Sequence, residues 1–385
     1  MGVTSAQTCL VLKGRLRALR EAGFRVTLVS SPGKLLDDLA RDEGVERVDV
    51  PMVRTIAPLR DAFALVRLCL CLVRLRPDVV EFSTPKAGLL GMVAARLTRV
   101  PRRVYMLRGL KLEATRGPKR AVLHAAERLT MACAHTVLCN SPSLRDTALR
   151  LRLTRADKLC LLGPGSSIGV DVSHFSPGDN NIRRKLNIPE DALVIGYVGR
   201  LTRDKGLPEL IAAFDAVLRA VPDACLLLVG WWDQSEDAMS SAQREKILNH
   251  HRIRFTGFVE DTAAYYRAMD VFVLPTLREG FPNVALEAAA TALPVLTTEA
   301  TGARDAIVAG VTGLLVRPGS VQEIEEGLLA LLRDAGMRQR MGAAGRQWVK
   351  QRFAREEVLA ANVRFYLGLF AELSGRHRED RAAAD

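Results

Sequence analysis

The sequence predicts an α/β protein of two doubly wound domains, residues 1–175 and 176–385, that face each other across a cleft. Three observations favour this class. Short apolar runs typical of buried parallel strands alternate with helical patterns along most of the chain. The turn-rich stretch FSPGDNN at residues 175–181 separates two halves of similar size. With 385 residues, 48% of them hydrophobic, each half can build its own core.

The alternation in the first half predicts a parallel sheet with helices on both faces. Helices are predicted at residues 14–21, 61–75, 88–97 and 119–134, and strands at residues 24–30, 78–82, 103–107 and 136–139. A doubly wound domain also needs a central strand before its first helix. The run TCLVL at residues 8–12 leaves two alternatives open, because it is either that strand or already part of the first helix.

Strand and helix patterns alternate more regularly in the second half. Its strands are predicted at residues 193–198, 225–229, 253–255, 271–274, 295–297 and 314–316, with helices between them. The last helical pattern, residues 356–373, is apolar on one face, and the sequence leaves open whether this helix crosses back to the first domain. The charged tail at residues 374–385 is expected to be frayed.

Cysteine usage and the lack of long apolar runs predict a cytoplasmic protein. The seven cysteines are scattered without zinc-site spacing, so reduced thiols are expected. No apolar run approaches the roughly 18 residues that a membrane span requires, and residues 1–6 do not match a secretory signal. The six histidines show no metal-ligand spacing, so no metal site is predicted.

The net charge of +12 arises from the first half of the chain. This asymmetry favours an anionic partner for residues 1–180, namely a membrane surface, a lipid phosphate or a nucleic acid. On the helix predicted at residues 61–75, Arg60, Arg67 and Arg74 recur every seven residues and share one face. The favoured interpretation is a core helix with a basic outer face, and the alternative is a helix that lies on anionic lipid.

The stretch REGFPNVALEA at residues 278–288 combines a helix start with two carboxylates. It follows the strand pattern at residues 271–274 and leads into a helix with Asn283 placed as its N-cap. Free N–H groups at a helix start suit a phosphate, whereas Glu279 and Glu287 suit sugar hydroxyls. The stretch therefore suggests a sugar nucleotide, and the alternative is two solvated glutamates.

A second stretch, GRLTRDKG at residues 199–206, follows the strand pattern at residues 193–198. The turn after a parallel strand is where doubly wound folds bind ligands. Arg200 and Lys205 are placed to clamp a diphosphate, the arginine by its fork and the lysine as a point charge. The stretch is neither a Walker loop nor a GxGxxG fingerprint, and the alternative is a charged surface turn.

Together these motifs resemble the family 4 retaining glycosyltransferases of the GT-B fold. The matching segments are GR at residues 199–200, KG at residues 205–206, the E-x7-E motif from Glu279 to Glu287, GFV at residues 257–259 and TGLLV at residues 312–316. The segments TPKAGLLG at residues 84–91, ER at residues 127–128 and GSSIGVD at residues 165–171 are similar to members that extend exopolysaccharides or lipid-linked oligosaccharides.

The resemblance implies a role for each matching residue. Arg200 and Lys205 would neutralise the donor diphosphate as the bond to the sugar breaks. Glu287 would take the ribose hydroxyls, and Glu279 would face the donor sugar. The implied catalytic residues are Arg200, Lys205, Glu279 and Arg108, and the implied donor-binding residues are Gly199, Gly257, Phe258, Val259, Gly280, Phe281, Pro282, Asn283, Val284 and Glu287. The reaction would need no metal and no cofactor besides the nucleotide-sugar substrate.

The sequence departs from the family at two places. Arg108-Gly109 stands where many members have His-Gly. Because arginine cannot act as a general base, Arg108 is expected to contact a donor or acceptor phosphate. The glycine-bearing loop after the first strand is not recognisable, which leaves Lys13-Gly14 as its candidate.

The resemblance thus implies a retaining hexosyl- or N-acetylhexosaminyl-transferase. It would move a sugar from a UDP-linked donor to a lipid-linked or polysaccharide acceptor in envelope or exopolysaccharide biosynthesis, in the cytoplasm or peripherally on the cytoplasmic face of the membrane. The alternatives are a transferase with a soluble small-molecule acceptor, a nucleotide-sugar epimerase, an inactive relative, and a non-enzymatic basic protein that binds membrane or nucleic acid. Nucleic acid is disfavoured because aromatic residues are only 5% of the chain and no RNA-binding motif occurs.

Overall fold

The computed structural model describes the backbone of residues 1–53, 55–179, 181–233 and 236–382, and their side chains except at residues 7, 10 and 375–382. The chain divides into two compact units, Met1–Gly169 with Glu356–Asp385, and Val170–Arg355. The turn-rich stretch at residues 175–181 falls in the second unit, and its residue 180 lies outside the described residues. Residues 383–385 of the predicted tail also lie outside them.

A parallel sheet forms the centre of the first unit. Its strands are β1 (Thr27–Ser30), β2 (Glu46–Asp49), β3 (Val79–Ser83), β4 (Arg102–Leu107), β5 (Thr136–Cys139) and β6 (Leu159–Leu161). β1 pairs with β2, and β3 to β6 pair in chain order. Every residue of β4 is buried, as expected of an inner strand that is covered on both faces.

Residues around Gly2 lie between β1 and β3. The Gly2 N–H donates to the Glu81 carbonyl at 2.7 Å, and Gly2 also bridges to Val29 of β1 in parallel. The TCLVL run is not the first strand, because it lies in a 3-10 helix, Ala6–Leu12, and the first α-helix begins at Arg15. The central ladder position is already filled by the residues that precede this run, so the run turns into helical conformation.

Helices cover the sheet of the first unit. They are α1 (Arg15–Glu21), α2 (Lys34–Glu43), α3 (Pro58–Leu75), α4 (Pro85–Leu97), α5 (Gly117–Cys133) and α6 (Pro142–Arg150). α4 packs against both α3 and α5, so these three helices lie side by side. The sequence patterns did not predict α2, β2, α6 or β6. β2 is largely exposed and therefore lacks the apolar run that marks the other strands.

The second unit contains a second parallel sheet. Its strands are β7 (Val194–Val198), β8 (Cys225–Val229), β9 (Ile253–Phe255), β10 (Val271–Leu274), β11 (Val295–Thr298) and β12 (Gly313–Val316), in the order β12-β11-β10-β7-β8-β9. Its helices are α7 (Ile182–Lys185), α8 (Leu207–Ala220), α9 (Ser241–Leu248), α10 (Ala263–Arg267), α11 (Asn283–Ala290), α12 (Val321–Arg333) and α13 (Ala335–Arg352). This is the doubly wound order, in which the first strand is central and the chain builds outward on each side.

The final helix, α14 (Arg355–Ala382), packs on the first unit. Tyr366 on this helix donates its hydroxyl proton to the buried carboxylate of Glu81, which also accepts two hydrogen bonds from Arg15. Burial alone would raise the pKa of Glu81, but the Arg15 guanidinium lowers it overall. The helix continues nine residues beyond the predicted end at residue 373.

The predicted fold class, α/β with two Rossmann-like doubly wound domains, is confirmed by these two parallel sheets. Within the described ranges, no helix is both long enough and apolar enough to cross a membrane.

Candidate active site

Two loops leave the carboxyl edge of the second sheet side by side. β7 and β10 are neighbours in the middle of the strand order, and the chain continues from β7 to β8 but from β10 to β11. In doubly wound sheets, this reversal of direction opens a crevice in which ligands bind. The loop at residues 199–206 follows β7 and the loop at residues 275–282 follows β10, so the two predicted motifs meet at this crevice.

Close contacts join the two loops. Gly206 has a φ of +72°, and a Cβ there would lie 1.9 Å from the Pro275 carbonyl oxygen, so only glycine fits. The Leu277 N–H donates to the Asp204 carbonyl at 2.9 Å. Arg278 Nη2 lies 2.8 Å from Asp204 Oδ2. The loop after β7 is therefore fixed against the loop after β10.

Each predicted phosphate-binding cation contacts a carboxylate. Lys205 Nζ donates to Glu279 Oε1, and the two side chains are only 14% and 18% exposed. Arg200 Nη1 donates to Asp233 Oδ2. Burial would lower the pKa of Arg200, but the hydrogen bond with Asp233 and the charge of Asp204 outweigh it and raise this pKa. Both cations are thus held at the crevice by acidic partners.

Asp233 is a site residue that the sequence analysis missed. It follows β8, the strand that pairs with β7 on the side away from β10, so it reaches Arg200 from the neighbouring strand end. The signal that could have found it is its position in the loop after the strand at residues 225–229. An aspartate there is at the same sheet edge as the two motifs.

The loop that carries Glu279 is also fixed from its other side. The Glu279 N–H donates to the Thr301 carbonyl at 3.1 Å. Gly302 has a φ of +76°, and a Cβ there would lie 2.3 Å from the Gly280 carbonyl oxygen. Loops after three strands, β7, β10 and β11, therefore interlock around Glu279 and Gly280.

The start of α11 differs from the prediction by one residue. Asn283 is the first residue of the helix, and Pro282 is its N-cap, with a φ of −84° and an extended conformation. The predicted N-cap at Asn283 is therefore wrong, because Asn283 is already part of the helix and Pro282 is the last residue outside it. The Phe281 side chain is buried and packs on Phe353 with ring centroids 5.3 Å apart. Only the backbone of Phe281 is left to contact a ligand.

Glu287 is anchored by a buried tyrosine. The Tyr266 hydroxyl donates to Glu287 Oε2 at 2.9 Å and lies 3.2 Å from the Val284 carbonyl oxygen. Burial raises the pKa of Glu287, and the hydrogen bond from Tyr266 lowers it in part. No described residue donates to the second oxygen, Oε1, which can therefore accept from a ligand hydroxyl.

The segment predicted to lie near a base follows β9. The Gly257 carbonyl accepts the Gly230 N–H at 3.0 Å, which ties this segment to the loop after β8. Phe258 and Trp231 are exposed and contact each other edge to face, with ring centroids 5.5 Å apart. Val259 is half-buried against the core. An aromatic surface thus stands at the carboxyl edge beside the crevice.

Arg108 lies in the first unit, at the end of β4. Its Nη1 donates to Ser167 Oγ at 2.6 Å, whereas its Nε and Nη2 are shielded from solvent and have no partner among the described residues. Burial and the neighbouring Arg15 lower the pKa of Arg108 to about 10. A buried guanidinium with unpaired N–H groups favours an anionic ligand.

The candidate for the glycine-bearing loop, Lys13-Gly14, lies directly before α1 and contacts a carboxylate. The N–H groups of Gly14 and Arg17 donate to the two carboxylate oxygens of Glu43, each at 2.8 Å. Glu43 therefore occupies the N–H groups at the start of α1, the helix that follows the candidate glycine-bearing loop.

No group of three metal-ligating side chains is found among the residues that the structure describes. The metal independence of the reaction stays a prediction.

Two doubly wound units in one chain, with cations and carboxylates at the switch point of the second, have the architecture expected of a GT-B glycosyltransferase. The family described as "Glycosyl transferases group 1" matches residues 178–348, and the family described as "Glycosyl transferase 4-like domain" matches residues 13–165. The capsular polysaccharide biosynthesis glycosyltransferase CapM of Staphylococcus aureus is 34% identical over 375 residues, which cover 97% of this chain and 98% of that protein. The chain therefore belongs to the group 1 glycosyl transferases, and the predicted resemblance is confirmed.

Two further proteins are similar over most of the chain. The UDP-Gal:alpha-D-GlcNAc-diphosphoundecaprenol alpha-1,3-galactosyltransferase of Escherichia coli is 27% identical over 319 residues, 81% of each chain. The crystal structure of Anabaena HepE in complex with UDP-glucose superposes with a TM-score of 0.77 at 20% identity, covering 96% of this chain and 99% of that one. At this identity, the likeness to HepE establishes the fold alone.

Proposed function

We propose that this protein transfers a sugar, with retention of configuration, from a UDP-sugar to a lipid-linked or polysaccharide acceptor in envelope or exopolysaccharide biosynthesis. The observation that carries the proposal is the contact of Lys205 with Glu279 at the switch point. It places a cation suited to a diphosphate beside a carboxylate suited to sugar hydroxyls, in the crevice where doubly wound sheets bind ligands.

The relatives support the choice of donor and acceptor. HepE binds UDP-glucose in its crystal structure, and the E. coli relative is named for a UDP-Gal donor and a diphosphoundecaprenol-linked acceptor. The S. aureus relative is named for capsular polysaccharide biosynthesis. A hexosyl or N-acetylhexosaminyl group is therefore the sugar that we assign to the reaction.

The proposed reaction divides the work among four side chains. Arg200 and Lys205 would bind the diphosphate and stabilise the negative charge that it gains as the leaving group. Glu287 would accept from the ribose through Oε1, since Tyr266 already holds Oε2. Glu279 would accept from the donor sugar, with the backbone from Gly280 to Val284 beside it. In these roles, one oxygen of each carboxylate bonds to the protein and the other oxygen accepts from the ligand.

The bond changes are those of a front-face displacement. The bond between the anomeric carbon and the β-phosphate oxygen breaks, and the acceptor hydroxyl oxygen forms a bond to that carbon on the same face. The hydroxyl proton passes to the departing phosphate oxygen, so the products are the glycosylated acceptor and UDP. No protein side chain is needed as a general base, which agrees with an arginine at position 108.

We assign Arg108 to phosphate binding. Its unpaired, shielded Nε and Nη2 groups need an anionic partner, and a lipid-linked acceptor carries a phosphate near the reacting sugar. We place the reaction in the cytoplasm, because the seven cysteines are free in this fold, as in proteins kept under reducing conditions.

A nucleotide titration tests the donor half of the proposal. UDP at 100 times its Kd should stabilise the protein by about 2.7 kcal/mol, and GDP and ADP at equal concentration should do less. Arg200→Ala and Glu287→Ala should lose the UDP effect, whereas Arg203→Ala, on the same loop but exposed, should keep it. No response to any of the three nucleotides would contradict nucleotide-sugar binding, and a stronger response to GDP or ADP would contradict the UDP assignment.

A partition assay tests the acceptor half. Radiolabel from a UDP-sugar, incubated with the protein and a bacterial lipid extract, should enter the organic phase. Arg108→Gln should lower this transfer while UDP still stabilises the variant. Label that enters only a water-soluble product would favour a soluble acceptor instead.

A further inference from the structure

Two neighbouring ion pairs of opposite polarity join the loops that follow β7 and β10. Asp204 and Lys205 are adjacent in the first loop, and Arg278 and Glu279 are adjacent in the second. Arg278 Nη2 lies 2.8 Å from Asp204 Oδ2, and Lys205 Nζ donates to Glu279 Oε1. A shift of one loop by one residue would place like charges opposite each other, which repel. The two pairs together therefore specify one register between the loops.

The pair of Asp204 with Arg278 is closed to ligands. Asp204 is only 4% exposed, and protein groups use both of its carboxylate oxygens. The Thr202 hydroxyl donates to Oδ1 at 2.6 Å, and Arg278 contacts Oδ2. Burial would raise the pKa of Asp204, but the Thr202 hydrogen bond and the charges of Lys205, Arg278 and Arg200 lower it overall. Asp204 is thus a buried, ionised carboxylate with its oxygens bound by the protein.

The pair of Lys205 with Glu279 is the more accessible one, with side chains 14% and 18% exposed. If Lys205 binds the donor diphosphate, its ammonium must turn from Glu279 towards the phosphates when the donor enters. The loops then lose this ion pair. The pair of Asp204 with Arg278 lies outside this exchange and can keep the loops in register throughout it.

Arg278 also contacts a third segment of the same sheet edge. Its Nη2 lies 3.4 Å from Oδ2 of Asp237, which stands between β8 and α9. The Asp237 carbonyl in turn accepts the Arg203 N–H of the loop after β7 at 2.8 Å. Arg278 therefore joins the loop after β10 to segments that follow both β7 and β8.

We propose that Arg278 and Asp204 are positioning residues for the donor diphosphate. They would hold the backbone of Lys205 in place while its ammonium exchanges Glu279 for the diphosphate. Both would act through Lys205 and not by contact with the ligand. The inference rests on the proposed function, because it assumes a ligand with a diphosphate.

A comparison of UDP with UMP tests the positioning, because only UDP carries the second phosphate. Calorimetric titration of the full chain should give the wild type a preference for UDP of about tenfold, and Lys205→Met should remove most of it. Arg278→Met should lower the preference about fivefold with little change in UMP affinity. A general distortion of the nucleotide site would instead weaken both nucleotides alike. The UMP affinity also shows that each variant is folded.

Two double variants separate position from charge. Arg278→Met alone leaves the charge of Asp204 unbalanced, and this charge could itself repel a diphosphate. Arg278→Met with Asp204→Asn removes both charges at once, so the local net charge is that of the wild type, and the preference should still fall. In the Lys205→Met background, Arg278→Met should cause no further loss, because the side chain through which it acts is gone.

Two single variants serve as controls. Arg278→Lys keeps the charge and should recover most of the preference. Arg203→Met removes an exposed arginine from the same loop and should behave like the wild type.

Two results would overturn the positioning proposal alone. One is a wild-type preference for UDP in the variant that lacks both charges, and the other is an additive loss of preference in the Lys205→Met background. Wild-type protein that binds neither nucleotide would instead contradict nucleotide-sugar binding itself, and the inference would fall with it.

Discussion

The hydroxyl of Tyr266 on α10 donates to Glu287 Oε2 on α11 at 2.9 Å. Tyr266 is fully buried, so this bond fixes the carboxylate from the core side. A Phe at position 266 keeps the packing but leaves Oε2 without its donor. We expect Tyr266→Phe to weaken UDP binding about tenfold, the usual effect of a lost hydrogen bond to a charged group. Calorimetric titration with UDP measures this.

The pH dependence distinguishes an orienting role from simple loss of stability. The Tyr266 hydrogen bond lowers the pKa of Glu287, although burial raises it overall. Removing this hydrogen bond should raise the pKa of Glu287 further. On acidification, Tyr266→Phe should therefore begin to lose UDP binding at a higher pH than the wild type. Tyr265→Phe, a change at the adjacent and only partly buried tyrosine, is the control. An unshifted pH profile in Tyr266→Phe would show that the bond does not tune Glu287.

The contact between Lys205 and Glu279 predicts opposite effects for its two partners. Glu279→Gln removes a negative charge next to the site proposed for the diphosphate and releases Lys205 from its ion pair. UDP should therefore bind Glu279→Gln as well as or better than the wild type, whereas sugar transfer should fall by ten- to a hundredfold. Lys205→Met should lose both. Weaker UDP binding by Glu279→Gln would argue against the proposed division of labour.

Local sequence patterns predicted the strands that bound the site. The runs at residues 225–229 and 271–274 are continuous and apolar, and both form strands with those bounds. Such runs carry their own signal because both faces of the strand are buried. The exposed strand β2 had no such signal. The TCLVL run was ambiguous because the residues that fill the central ladder position precede it.

Partners of the site residues could not be predicted in the same way. Asp233 and Tyr266 lie 33 and 21 residues from Arg200 and Glu287, respectively. They meet them only because adjacent strand ends and helices pack together. The outer face of α3 shows the same limit, because it exposes large apolar side chains, and an apolar helix residue predicts burial unless the fold leaves it uncovered. The sequence thus predicted candidate side chains for the chemistry, whereas the contacts that hold them follow from the fold.

Two glycines with nearly equal positive φ angles give a test of loop packing. Gly206 and Gly310 have φ of +72° and +75°. An added Cβ at Gly206 would lie 1.9 Å from the Pro275 carbonyl oxygen. A Cβ added at Gly310 would have no surrounding atom within 4 Å. Gly310→Ala should cost about 1–2 kcal/mol, the strain of the left-handed region. Gly206→Ala should cost more and should abolish UDP binding, because the loop with Lys205 must move. Denaturant unfolding and UDP titration of both variants measure the difference, and equal behaviour would mean that the loops are not interlocked.

Glu127 in the first unit predicts a fall in stability with rising pH. It lies on α5, is buried, and accepts a hydrogen bond from Tyr105 on β4 at 3.1 Å. Burial raises its pKa to about 7 from the ordinary 4.5, although the Tyr105 hydrogen bond opposes the rise. Between pH 4.5 and pH 7, Glu127 is therefore protonated in the folded state but ionised in the unfolded state.

The stabilisation from this proton is full below pH 4.5 and is lost as the pH rises through 7. At 1.36 kcal/mol per pKa unit, the total change is about 3 kcal/mol. Glu127→Gln keeps the acceptor for Tyr105 but cannot ionise, so it should match the wild type near pH 4.5 and exceed it at pH 8. Urea unfolding at both pH values measures this, with the exposed Glu21→Gln as control. If Glu127→Gln gained nothing at pH 8, the buried carboxyl would have to be ionised at little cost, and the raised pKa would be wrong.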